Sequence, residues 1–206
     1  MRVKICGITN LEDALLASDL GADALGFNFF PASPRYIDPA SAGDIIRQLP
    51  PLSVMVGVFV NVGSPGEVMR MARTSGVQVL QLHGDETPEY CDALRPWPVI
   101  KVVRVDGDHL PDDLSRFRVQ AFLMDARDDI LFGGTGMTFD WKSAAEVGGS
   151  RPVILAGGLN AGNVARAIRT VNPYAIDVCS GVERSPGRKD PGRLKELMDE
   201  VSHACR

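Results

Sequence analysis

Apolar runs of strand length recur along the whole chain, and their spacing limits the fold more than any single motif does. They begin near Arg2, Ala24, Ser53, Val77, Val99, Ala121, Val153 and Ala175. Several successive starts lie about 22 residues apart, enough for one strand, one helix and two short loops. The runs are continuous rather than alternating, as in Ser53-Val54-Met55-Val56-Gly57-Val58-Phe59-Val60 and Val77-Gln78-Val79-Leu80-Gln81-Leu82. Strands buried on both faces read this way, so a parallel sheet covered by helices is expected.

Helix signals fall between the runs. Ser64-Pro65-Gly66-Glu67 supplies a cap, a proline at the first helical position and a glutamate at the third. Thr87-Pro88-Glu89 and Asp190-Pro191 repeat the capped, proline-first pattern, and Thr9 with Glu12 reads as a capping box. Gly21 and Gly76 stand where helices should end before the next strand. Eight strand–helix units in 206 residues predict an α/β fold, a (β/α)₈ TIM barrel forming one domain over residues 1–206. The alternative, a doubly wound open sheet, calls for a glycine fingerprint after its first strand. The first strand here runs instead into Cys6-Gly7-Ile8-Thr9.

Composition narrows the function. The formal charge of −4 and the lack of a Lys/Arg block argue against nucleic-acid or membrane-surface binding, and no apolar run reaches 18 residues. An anionic substrate then needs local basic groups or backbone N–H donors. The N-terminus passes straight into a strand, without room for a signal peptide. Cys6, Cys91, Cys179 and Cys205 show neither CxxC pairing nor His-rich spacing, so no metal site is expected and a reducing cytoplasm suits them.

In a barrel, catalytic groups sit at the carboxyl ends of strands. Cys6 ends the first strand, where it is either an ionisable thiol of the site or a buried, inert cysteine. Asp125 ends the sixth strand as a helix cap, a solvated residue or a catalytic carboxyl, and the barrel favours the last. Gly157-Gly158 after the seventh strand and Ser180-Gly181 after the eighth, which carries Asp177, predict a phosphate-binding pair of turns. Gly133-Gly134-Thr135-Gly136 lacks the Gly-Lys-Ser/Thr of a P-loop and reads as a lid over the site. His83 is a polar wall residue or a structural hydrogen-bonding histidine. Arg35, in the long loop Phe30 to Asp38, either grips a carboxylate or is solvated.

In order, these motifs resemble the phosphoribosylanthranilate isomerase family of the tryptophan pathway. The resemblance runs from Lys4-Ile5-Cys6-Gly7-Ile8-Thr9 through Ser33-Pro34-Arg35-Tyr36 and Gln81-Leu82-His83-Gly84 to Asp125. It continues through Gly133-Gly134-Thr135-Gly136, Phe139-Asp140-Trp141, Ala156-Gly157-Gly158-Leu159 and Ser180-Gly181-Val182-Glu183. It implies a cofactor-free aminoaldose-to-aminoketose isomerisation of a small phosphorylated substrate, by a monomer or homodimer. Asp125 would be the general acid and Cys6 the general base. Arg35, His83, Gly157, Gly158, Asp177, Ser180 and Gly181 would bind substrate, Arg35 at the anthranilate carboxylate. A histidine-pathway sugar-phosphate isomerase and a non-catalytic phosphate-binding barrel are the other readings. The chain departs from the family pattern at Cys179, where a small residue is usual, and at Met137. Cys179 is expected near Cys6, because strands one and eight adjoin in a closed barrel.

Overall fold

A computed structural model describes residues 1–105, 114–126 and 151–205. Eight parallel strands close into a barrel in sequence order, the eighth pairing with the first. They are β1 Arg2–Cys6, β2 Ala24–Asn28, β3 Val54–Phe59, β4 Val79–Leu82, β5 Val99–Val105, β6 Ala121–Ala126, β7 Val153–Ala156 and β8 Ala175–Val178. Six of the eight begin at the positions expected from sequence. β3 and β4 begin slightly later, because Ser53 and the Val77-Gln78 pair belong to the approach. Gln78 Oε1 there accepts the Met55 N–H at 2.9 Å.

Described helices cover Leu11–Asp19, Pro39–Ile46, Pro65–Ser75, Pro88–Asp92, Ala161–Val171 and Pro191–Ala204. Ser64, Thr87 and Asp190 cap theirs as expected. The first helix corrects the sequence expectation: its cap is Asn10, whose side chain accepts the Asp13 N–H at 2.9 Å. Thr9 turns instead to the other end of the chain and donates its hydroxyl to the Gly187 carbonyl. A distant partner at hydrogen-bonding distance took Thr9, and Asn10 caps equally well.

Two apolar layers hold the barrel. The larger lies between sheet and helices and includes Ile5, Leu25, Phe27, Phe59, Leu80, Phe122 and Leu155. The smaller fills the interior with Val56, Ile100, Val102, Ala121, Leu123, Ile154, Ala156 and Ala175. Strand residues alternate between these layers, so Lys4 and Cys6 share the interior face of β1. The interior changes character along the axis. Beyond the apolar plug lie Lys4, Gln81 and Asp177, all buried. The expected segments Gly133–Gly136, Met137 and Phe139–Trp141 lie outside the described residues.

Candidate active site

At the carboxyl ends of the strands lies a cavity of about 240 Å³. Cys6, Arg35, His83, Asp125, Gly157, Gly158, Asp177 and Ser180 all line it, so residues scattered over most of the chain converge on one mouth. Gly181 stands just behind. A Cβ there would lie 1.9 Å from the Leu159 carbonyl oxygen, so the turn after β8 seats directly on the turn after β7. Gly157 and Gly158 both have positive φ, 96° and 59°, which glycine adopts without penalty. The Gly158 carbonyl is pinned by the side-chain amides of Asn160 and Asn163, at 3.1 and 2.9 Å. Asn160 then caps the helix Ala161–Val171. Two fixed, glycine-lined turns beside a helix start suit an anion.

Cys6 is buried but forms part of the cavity wall. Gly7, with φ of 77°, turns the chain immediately after it. The Cys6 thiol is held well below the ordinary thiol range. A hydrogen bond from the Cys179 thiol is the main cause, acting against burial, and the positive charges of Lys4 and Lys189 add to it. Cys179 is pushed up correspondingly, because it keeps the proton of that bond. The expected proximity of the two thiols is therefore present. A second thiol and two lysines provide the support for the ionised Cys6.

Lys4 Nζ is buried 2.8 Å from Asp177 Oδ1. Burial pushes the Asp177 carboxyl up to about 6, with Lys4 pulling it down and the charge on Cys6 pushing it up. Across the cavity, His83 Nε2 lies 3.2 Å from Asp125 Oδ2, each side chain about one-third exposed. His83 is thus both a wall residue and a hydrogen-bonding partner of the carboxyl. The two sequence alternatives for it merge.

Arg35 lines the cavity with its guanidinium held by Glu183. Nε lies 2.9 and 3.0 Å from the two carboxylate oxygens, and Nη2 lies 2.7 Å from Oε2. Nη1 takes no part in this grip. The fully buried Lys189 completes the support. Its Nζ donates to Glu183 Oε1 at 3.0 Å and to the Cys6 carbonyl at 2.5 Å. Lys4 and Lys189 went unread in sequence. Lys4 carried a usable signal, since period-two alternation puts it on the face of Cys6. Lys189 carried none, because its two-residue strand Arg188–Lys189 pairs only with the adjacent Glu183–Ser185 segment.

A thiolate base, a carboxyl opposite it, an oriented guanidinium and an anion cradle can together move protons on a phosphorylated substrate without covalent capture. Among the described residues, no cluster of His, Cys, Asp and Glu is arranged to hold a metal ion.

Comparison with known proteins shows the family. The model of the family described as N-(5'-phosphoribosyl)anthranilate isomerase matches residues 3–200. A relative of that name from Citrifermentans bemidjiense is 51% identical over 200 residues, covering 97% of this chain and 96% of the relative. The crystal structure of phosphoribosyl anthranilate isomerase from Thermus thermophilus superposes with a TM-score of 0.87 at 41% identity, covering 98% of this chain and 99% of the other. A second solved structure, in complex with reduced 1-(o-carboxyphenylamino)-1-deoxyribulose 5-phosphate, has a TM-score of 0.84 at 39% identity, with the same coverage.

Proposed function

The chain belongs to the N-(5'-phosphoribosyl)anthranilate isomerase family, and from that premise we propose that Cys6 and Asp125 carry its reaction as general base and general acid. The enzyme converts the aminoaldose N-(5'-phosphoribosyl)anthranilate to the aminoketose 1-(2-carboxyphenylamino)-1-deoxyribulose 5-phosphate, a step of tryptophan biosynthesis. One observation carries the assignment: the thiol and the carboxyl line the same cavity, beside two glycine turns suited to phosphate.

Asp125 protonates the furanose ring oxygen, and the ring opens to a Schiff base. The Cys6 thiolate then removes the proton from C2 of the sugar, and the resulting enolamine tautomerises to the ketone. A thiol serves as base only when partly ionised near the working pH, and the environment of Cys6 favours that. Asp125 must hold a proton on arrival of substrate, and His83 at Oδ2 orients it. The phosphate occupies the turns at Gly157, Gly158, Ser180 and Gly181. Arg35 faces the anthranilate carboxylate through the part of its guanidinium that Glu183 leaves available, and Asp177 contacts the sugar.

The test is turnover of phosphoribosylanthranilate made in situ from anthranilate, followed by fluorescence loss with indoleglycerol-phosphate synthase as coupling enzyme. Cys6→Ser and Asp125→Asn should each lower kcat by about 100-fold or more while a product analogue still binds. Near-wild-type turnover in either variant removes that residue from its role.

No described helix is long and apolar enough to cross a membrane, and all four cysteines are unpaired, which suits a reducing cytoplasm. A solved Thermotoga maritima relative, 38% identical with a TM-score of 0.83, is described as a dimeric enzyme from which monomers were generated. Monomer and homodimer are the two states to separate by sedimentation.

A further inference from the structure

Cys6 and Cys179 stand at the ends of neighbouring strands. The register Lys4 with Asp177 and Ile5 with Val178 brings the two cysteines opposite each other. The Lys189 ammonium reaches both of their carbonyl oxygens, at 2.5 and 3.4 Å. Their side chains are neighbours at the closing seam of the barrel, and the Cys179 thiol donates to Glu183 Oε1 at 3.8 Å. Two identical neighbouring thiols have no intrinsic preference for which of them ionises. Their surroundings must decide.

Those surroundings are opposite in sign. Gly26 is the strand partner of Cys6 in β2. A Cβ on Gly26 would lie 2.7 Å from Cys6 Sγ and 3.1 Å from Lys4 Nζ, so sulfur and ammonium share the space the glycine leaves. Cys179 Sγ instead lies 3.8 Å from Glu183 Oε1, a carboxylate held ionised by Arg35 and Lys189. A cation beside one thiol and an anion beside the other polarise the pair.

We propose that Lys4 is the positioning residue that assigns the negative charge of the Cys6–Cys179 pair to Cys6, while Cys179 keeps its proton. Asp177 holds Lys4 on station from below. The remaining charged groups facing the pair do not reverse the assignment. Lys189 touches both backbones and favours neither thiol strongly. Arg35 is neutralised by Glu183, and His83 and Asp125 lie on the far wall. At 5% side-chain exposure Lys4 does not line the cavity, so it acts through Cys6 and not on substrate. The proposal rests on Cys6 being the base, and it extends the site to a residue one layer beneath it.

The test reads the thiol directly. The whole enzyme is alkylated with iodoacetamide over a range of pH, and peptide mass identifies which cysteine reacts. In the wild type Cys6 should react ahead of Cys179, with a midpoint below the free-thiol range near 8.5. Lys4→Met should raise that midpoint by about one to three pH units and move the acid limb of kcat in the same direction. Lys4→Arg, which keeps the charge, should stay close to the wild type. Should Lys4→Met fail to fold, the double variant Lys4→Met/Asp177→Asn removes both buried charges and should show a smaller rise, because loss of the Asp177 carboxylate also relieves repulsion at Cys6. An unchanged midpoint without Lys4, a rise in Lys4→Arg equal to that in Lys4→Met, or first alkylation at Cys179 overturns the proposal. Full turnover by Cys6→Ser would instead defeat the base assignment and leave the alkylation result standing.

Discussion

Arg35 and Glu183 are 148 residues apart in sequence and form a paired contact, with two guanidinium nitrogens 2.7–3.0 Å from the carboxylate. The contact ties the loop after β2 to the segment after β8, across the edge of the cavity. A planar guanidinium engaged on one edge is fixed in orientation and presents its other edge to the site. Burial pushes the Glu183 carboxyl up, but Arg35 and Lys189 prevail and hold it below the usual carboxylate range.

Arg35→Ala should raise KM for phosphoribosylanthranilate by about tenfold or more if Arg35 holds the anthranilate carboxylate as proposed, since a charged hydrogen bond is then removed. The kcat should change less, because Arg35 does not move protons. Steady-state kinetics check the split, and an unchanged KM takes Arg35 out of the substrate site.

Glu183→Gln should destabilise the fold by about 3 kcal/mol, because Lys189 is left buried with an unpaired charge. The pH dependence follows in sign. Glu183 is depressed below its ordinary value of 4.5 in the folded state. Its contribution is therefore complete above that value and is lost as pH falls from there through the folded value. Thermal unfolding between about pH 6 and pH 3 should show a steep acid slope in the wild type and a flatter one in Glu183→Gln. Parallel slopes would contradict the assignment.

Gly26→Ala should impair catalysis well beyond its effect on folding. The new methyl would stand 2.7 Å from Cys6 Sγ and must displace either the thiol or Lys4. Displacing a base by about 1 Å costs on the order of 100-fold in kcat. The check is kcat measured alongside the thermal midpoint. Normal turnover would show that the thiol relaxes without consequence.

Diamide should inactivate the enzyme by joining Cys6 to Cys179, the reagent taking up the two thiol hydrogens as the sulfur–sulfur bond forms. Dithiothreitol should restore activity, and Cys179→Ser should resist inactivation. Peptide mapping identifies the link. Full activity with both thiols free after treatment would exclude it.

The first strand shows how much of the site was legible in the sequence. The apolar run and the glycine after it identified Cys6 as a strand-end group, because burial patterns and turn residues are local properties. The same reasoning placed Asp125, the paired glycine turns and most helix caps. It failed at Thr9, where two adjacent residues could both cap and a partner near the other terminus decided between them. It was silent on Lys189, whose fully buried ammonium bonds groups from two strand ends.

Sequence by itself determined the repeating strand–helix unit, the chain's place in a family and which residues are proposed as acid, base and phosphate turns. The repeat follows from periodicity and the rest from the resemblance that the ordered motifs carry, and neither needs coordinates. Only barrel closure decided which groups other than Lys4 surround Cys6. β8 closes against β1, bringing Asp177 to Lys4 and Cys179 to Cys6. A thiol's ionisation depends on groups within a few ångströms: Lys4 is two positions from Cys6, but the Asp177 that holds Lys4 is 173 positions from it in the chain.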